Sequence, residues 1–139
     1  VSLEIIFLIA LPLIERSLKP EALILIGAGA GFIRWSILAF APVGGLLWFM
    51  QALHALTFAP AHVGALRVIV RDAPDDMAMF MQVVYSALQG GLFMGVATLA
   101  SGWLYDHHGA GGYWLMAALA AAGFALIWKF TADGKTRAA

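Results

Sequence analysis

Residues 22–40 read ALILIGAGAGFIRWSILAF, an apolar run interrupted by one charge, Arg34. A bilayer core of about 30 Å takes roughly 20 helical residues to cross, and this stretch has that length. Four further apolar stretches share its character: about 3–15, 43–70, 77–104 and 112–130, each bounded by charge, Pro or Gly. They lack the ten-residue alternation of barrel strands, so helices are expected. The fold class read here is therefore all-α, a polytopic membrane protein with five transmembrane helices. Stretches longer than the bilayer must tilt, kink at Pro60 or project beyond it.

Composition supports the same solvent. Of 139 residues, 63% are hydrophobic and 12% charged, against about 25% charged in ordinary soluble domains. Formal net charge is zero, so there is no basic surface for phosphate backbones and no nucleic-acid partner is expected. The absence of cysteine removes disulfides, thiolate metal sites and cysteine nucleophiles. Ser2-Leu3-Glu4 offers no basic region of the kind that opens a cleaved signal.

Basic residues orient the spans. Arg16 and Lys19 lie in the first connection, Arg67 and Arg71 flank the third span, and Lys129, Lys135 and Arg137 end the chain. In a five-span arrangement these seven share one side, expected to be cytoplasmic, with 132–139 as a cytoplasmic tail. Val1 then begins on the opposite side, and the chain is read as the tail of a longer protein. Residues 1–131 would be part of its C-terminal bundle.

Polar groups inside apolar spans need partners away from lipid, since a central Arg or Asp costs about 2.5 to 3.5 kcal/mol on insertion scales. Glu4 and Arg34 are the two charges concerned. Glu4 sits either at the interface or in a polar interior. Arg34 either snorkels beside Trp35 or meets a buried partner, which is the preferred reading. At 100° per residue Gln51, His54, Phe58, His62 and Ala65 share one narrow face, and Pro60 should bend the helix and free a carbonyl. His54 is a candidate ligand or proton group, because imidazole changes charge near neutral pH. The alternative is a purely interhelical hydrogen-bonding role for both histidines. In the next span Gln82, Tyr85, Ser86 and Gln89 stand at i, i+3, i+4 and i+7, one polar face suited to a solute cavity. Gly27-x-x-x-Gly31 and Gly91-x-x-x-Gly95 are spacings for close helix approach.

Other chemistries are poorly supplied. His107-His108 lacks a full ligand set for a metal, and a haem would need a histidine on a facing span. No serine has a nucleophile-elbow context, and there is no carboxylate pair, so no enzyme is expected and no cofactor beyond a proton as coupling ion.

Several segments in order carry a resemblance: Pro12-Leu-Ile-Glu-Arg16, the intramembrane Arg34-Trp35, Leu53-His-Ala-Leu-Thr-Phe58 with Arg67 beyond it, and Ser101-Gly-Trp-Leu-Tyr-Asp106 before a final span. Together they resemble helices eight to twelve of the major facilitator superfamily, in particular the sugar, nucleoside and 3-phenylpropionate proton symporters related to lactose permease. The resemblance implies a secondary transporter with a central site between two six-helix halves. It implies that Arg34 and His54 match the arginine and histidine of the family's proton and substrate machinery, with Glu4 as the candidate for the acidic residue on helix eight. Where the lactose-type pattern has a carboxylate three residues after that histidine, this chain has Thr57, so that mechanism does not transfer intact. The expected function is thus part of a proton-coupled symporter for an aromatic acid, nucleoside or sugar, working by alternating access in a bacterial inner membrane. Its substrate and proton pathway would use Glu4, Arg34, Gln51, His54, Gln82, Tyr85 and Gln89. Its partners would be the lipid bilayer, a small-molecule solute and the missing N-terminal half. The alternative is a small structural or assembly subunit of a membrane complex.

Overall fold

The computed structural model describes residues 17–136, with side chains as far as residue 132. Glu4 and the first expected span, 3–15, lie outside the described residues. Helix α1 covers Pro20–Leu38 and α2 covers Gly45–Asp72. Helix α3, Ala78–Ala87, runs through a π-helical turn, Leu88–Phe93, into α4, Met94–His108. A 3-10 turn, Gly109–Gly112, leads to α5, Tyr113–Thr136. Every regular element among the described residues is helical.

Local chemistry sets these boundaries. Pro20 opens α1, where its missing N–H removes no helical bond, and the Lys19 carbonyl accepts from the amides of Ala22 and Leu23 at 3.0 and 3.3 Å. The chain leaves α1 through Ala41, at φ 50°, before Pro42, and enters α2 from Gly44 at φ 68°. Helix α2 continues through the buried Pro60 without interruption, although Pro60 has no N–H to offer the carbonyl of Leu56. Its 28 residues span about 42 Å at 1.5 Å each, so its end projects beyond a bilayer core.

Among the described residues, three helical stretches are long and apolar enough to cross a membrane: Pro20–Leu38, Gly45–Asp72 and Ala78–Ala132. The last has 55 residues, about 83 Å as one helix, far more than a single crossing. Gly109, at φ 54° and ψ −141°, divides it. Helix α4 continues to His108, so Asp106, His107 and His108 form its last turn, and α5 continues to Thr136.

Helix α1 lies in the middle, antiparallel to both α2 and α5. A Cβ built on Gly27 would stand 2.7 Å from the Cβ of Ala61 and 2.8 Å from the carbonyl oxygen of Thr57. At Gly64 it would stand 2.7 Å from the carbonyl oxygen of Pro20 and 3.1 Å from the Cβ of Leu23. Gly31 faces Thr57 on one side and Ala120 of α5 on the other. The buried apolar residues, Leu23, Ala30, Met50, Ala55, Ala59 and Ala117, are mostly small. Such an interface gains from dispersion at short range, the contribution that remains when the surroundings are as apolar as the side chains.

The packing expected of Gly27 and Gly31 is therefore present, whereas Gly91 and Gly95 are exposed and have no neighbour within 4 Å among the described residues. Helices α3 and α4 and the π-helical turn between them touch the rest sparsely and expose Phe80, Leu92, Phe93, Leu99 and Trp103. In water that patch would drive association; in lipid it is an ordinary surface.

Candidate functional site

Arg34 lies one turn before the end of α1, half-buried, with its Cζ 4.6 Å from the centroid of the Trp35 ring. Its Nε is buried and makes no hydrogen bond among the described residues. Trp35 stacks on Tyr113 at 5.5 Å and 23°, and Tyr113 in turn faces Tyr105 at 6.4 Å. A cavity of about 310 Å³ adjoins this aromatic group under the Gly109 corner, lined by Ser101, Leu104, Tyr105, Tyr113 and Met116 among others. The cation lies over an indole face, and no partner for its buried Nε is seen among the described residues.

The register of the α1–α2 contact locates His54. Ile24 opposes Gly64 and Gly31 opposes Thr57, so the same antiparallel step brings Arg34 level with His54 on the facing helix. His54 is half-buried. Thr57, which stands where the lactose-type pattern has a carboxylate, donates its hydroxyl hydrogen to the carbonyl of Leu53 at 2.9 Å. That hydroxyl is committed to its own helix, a common arrangement for Thr in apolar helices.

A second polar group forms between α2 and the α3 segment. His62 Nδ1 donates to Gln89 Oε1 at 3.1 Å. The His62 ring lies nearly parallel to Phe58, with centroids 5.4 Å apart at 10°, and 5.6 Å from the Tyr85 ring. Gln89 belongs to the π-helical turn, in which the helical register is offset from that of α3; such turns recur at functional sites. Of the polar face read from Gln82, Tyr85, Ser86 and Gln89, three members lie beside α2. Tyr85 and Gln89 meet His62, while Gln82 lines an open cavity of about 550 Å³ with Pro20, Val63, Leu66, Arg67, Val70 and Arg71. Gln51 and Ser86 are exposed. His62 shares the sequence face of His54, yet nothing in a single helix distinguishes the two; what singles out His62 is the neighbour it meets.

One end of the bundle is tied by charge. Arg67 Nη1 donates to the Leu18 carbonyl at 3.2 Å. Arg71 Nη1 meets Glu21 Oε1 at 2.5 Å, and its Nε and Nη2 meet Asp72 Oδ1 and Oδ2 at 2.7 and 2.9 Å. These pairs are solvent-accessible and individually weak, but Arg71–Glu21 joins the start of α1 to the end of α2. Because α5 runs antiparallel to α1, Lys129 lies toward this end as well, with Lys19, Arg67 and Arg71. At the other end His107 Nδ1 donates to the Trp103 carbonyl at 2.8 Å and its ring stacks on Trp103 at 4.4 Å.

Comparison with known proteins places these features in a lineage. Residues 1–116 match the model of the MFS_1 like family. The chain is 33% identical over 116 residues to a probable 3-phenylpropionic acid transporter of Escherichia coli (strain K12), a match covering 84% of this chain and 30% of that protein. The chain thus spans less than a third of its relative's length. No solved structure matches.

Proposed function

Because the chain belongs to the MFS_1 like family of the major facilitator superfamily, we propose that it forms part of a proton-coupled symporter for a small aromatic carboxylic acid. The observation that carries this reading is Arg34. A guanidinium with a buried, unbonded Nε, set within an apolar helix over Trp35, supplies a charge for a carboxylate, and the rings that continue from Trp35 through Tyr113 to Tyr105 supply faces for an aromatic body. A buried donor left without an acceptor costs about 1 to 3 kcal/mol, a cost that an arriving anion offsets. The relative's name, a 3-phenylpropionic acid transporter, is consistent with that chemistry.

In this reading the chain is a C-terminal bundle of five spans within a longer protein, and its exposed α3–α4 surface faces lipid or the N-terminal half. Rocking of the two halves exposes a midplane site to each side alternately. Arg34 binds the anion, His54 lies at the same level, Gln82, Tyr85 and Gln89 line the path, and Gln51 and Glu4 extend it. The clustering of Lys19, Arg67, Arg71 and Lys129 at one end supports a cytoplasmic position for that end, in a bacterial inner membrane.

The test is uptake of labelled 3-phenylpropionate by the full-length protein. Arg34→Ala and His54→Ala are each expected to abolish proton-driven accumulation while membrane insertion is retained. Normal accumulation in both variants sinks the assignment.

A further inference from the structure

We propose that His62, oriented by Gln89, is a proton-carrying group of the translocation path, a role additional to that of His54. The assignment rests on the transport reading above and names the group that couples it to protons.

The geometry begins with the hydrogen bond at 3.1 Å from His62 Nδ1 to Gln89 Oε1. A carboxamide oxygen only accepts, so Nδ1 carries its hydrogen whether the imidazole is neutral or protonated. The proton that comes and goes is therefore the one on Nε2, which makes no hydrogen bond among the described residues. The Gln89 contact survives both charge states, so a change of protonation need not break the link between α2 and the π-helical turn. The same device, one ring nitrogen held so that the other is available for chemistry, orients imidazoles generally.

The ring's surroundings suit a cation. Phe58 offers a nearly parallel face at 5.4 Å and Tyr85 a tilted ring at 5.6 Å, and an aromatic face attracts a positive charge. Tyr85 is also the titratable group that meets His62 from α3. Helix α1 has no titratable residue between Glu21 and Arg34, and Glu21 is engaged with Arg71. On α2 itself, Arg67 lies five residues on, about 140° around the helix, and His54 lies two turns back. Among the described residues no hydrogen bond or ion pair joins this imidazole to a carboxylate. During a cycle Nε2 gains a proton from water on one side of the membrane and returns it to water on the other; one N–H bond forms and later breaks, with no electron transferred.

The experiment uses the full-length protein in liposomes with 3-phenylpropionate as probe, and compares exchange between equal internal and external pools with accumulation driven by a pH gradient. His62→Gln is expected to keep exchange within about twofold and to reduce accumulation by about a hundredfold. Gln89→Leu is expected to move the pH profile of accumulation by about one unit. Accumulation by His62→Gln at wild-type level with an unchanged pH profile overturns the proposal, as does equal loss of exchange and accumulation, which marks a packing or solute contact. Absence of exchange by the wild type defeats the transport reading, and this inference with it. If His62→Gln fails to insert, 15N spectra of the histidine-labelled wild type in lipid decide the matter: a hydrogen on Nδ1 in the neutral form supports the assignment, and one on Nε2 overturns it.

Discussion

A Cβ on Gly27 would lie 2.7 Å from the Cβ of Ala61, so α1 and α2 touch at a distance that only glycine permits. Gly64 makes the reciprocal contact with Leu23 and the Pro20 carbonyl. Gly27→Leu or Gly64→Leu must push the helices apart, and a destabilisation of about 1 to 3 kcal/mol is expected, read as a lower melting midpoint in detergent. Gly91→Ala and Gly95→Ala, whose added methyls meet nothing among the described residues, serve as the comparison. If they destabilise as much as Gly27→Leu, the α1–α2 interface is not the limiting contact.

Gly109 turns the chain between α4 and α5 at φ 54° and ψ −141°, a conformation that hinders any residue with a Cβ. Gly109→Ala is expected to cost about 1 to 2 kcal/mol, measured by thermal unfolding of the inserted protein. Replacement of Gly45, which has ordinary φ and no neighbour within 4 Å among the described residues, should cost less.

Cysteine accessibility separates the path from the lipid surface. Gln82 lines the open cavity beside Arg67 and Arg71, whereas Met79 is 78% exposed on the outer apolar face. A membrane-impermeant thiol reagent is expected to modify Gln82→Cys in the inserted protein and to leave Met79→Cys largely unreacted. The reverse order of rates would place α3 with its polar face against a dry interface, as a structural subunit would have it.

The Glu21–Arg71 pair joins α1 to α2 at 2.5 Å but remains accessible. A double-mutant cycle with Glu21→Gln and Arg71→Gln should return a coupling below about 1 kcal/mol, smaller still at high salt. A salt-insensitive coupling of several kcal/mol would mean that this end is shielded from water.

Much of the fold was legible because membrane helices obey a simple constraint: backbone groups must be satisfied within each segment. The run at 22–40 became α1, the long stretch around Pro60 became α2, and the packing role of Gly27 and Gly31 followed from their spacing. Helix ends were less legible. The span expected to end near residue 104 continues to His108 and turns at Gly109, since polar residues such as His107 bond back to their own helix, at Trp103, while a backbone at positive φ does not continue it. The candidate site was legible as faces of single helices. Gln82, Tyr85, Ser86 and Gln89 read as one stripe on an ideal wheel; Tyr85 and Gln89 meet His62 and Gln82 lies beside Val63, Leu66 and Arg67 of the same helix, while Ser86 is exposed.

The order of residues alone dictates the solvent, the helical class and the small set of polar groups that lipid would not tolerate unpartnered, because these depend on composition and period along one strand of chain. Which of those groups meet is a property of the packed helices. Packing brings Gln89 to His62, sets Arg34 level with His54 and leaves Thr57 bonded to its own helix, because contact between helices depends on the register of glycine against alanine and on the offset of one π-helical turn.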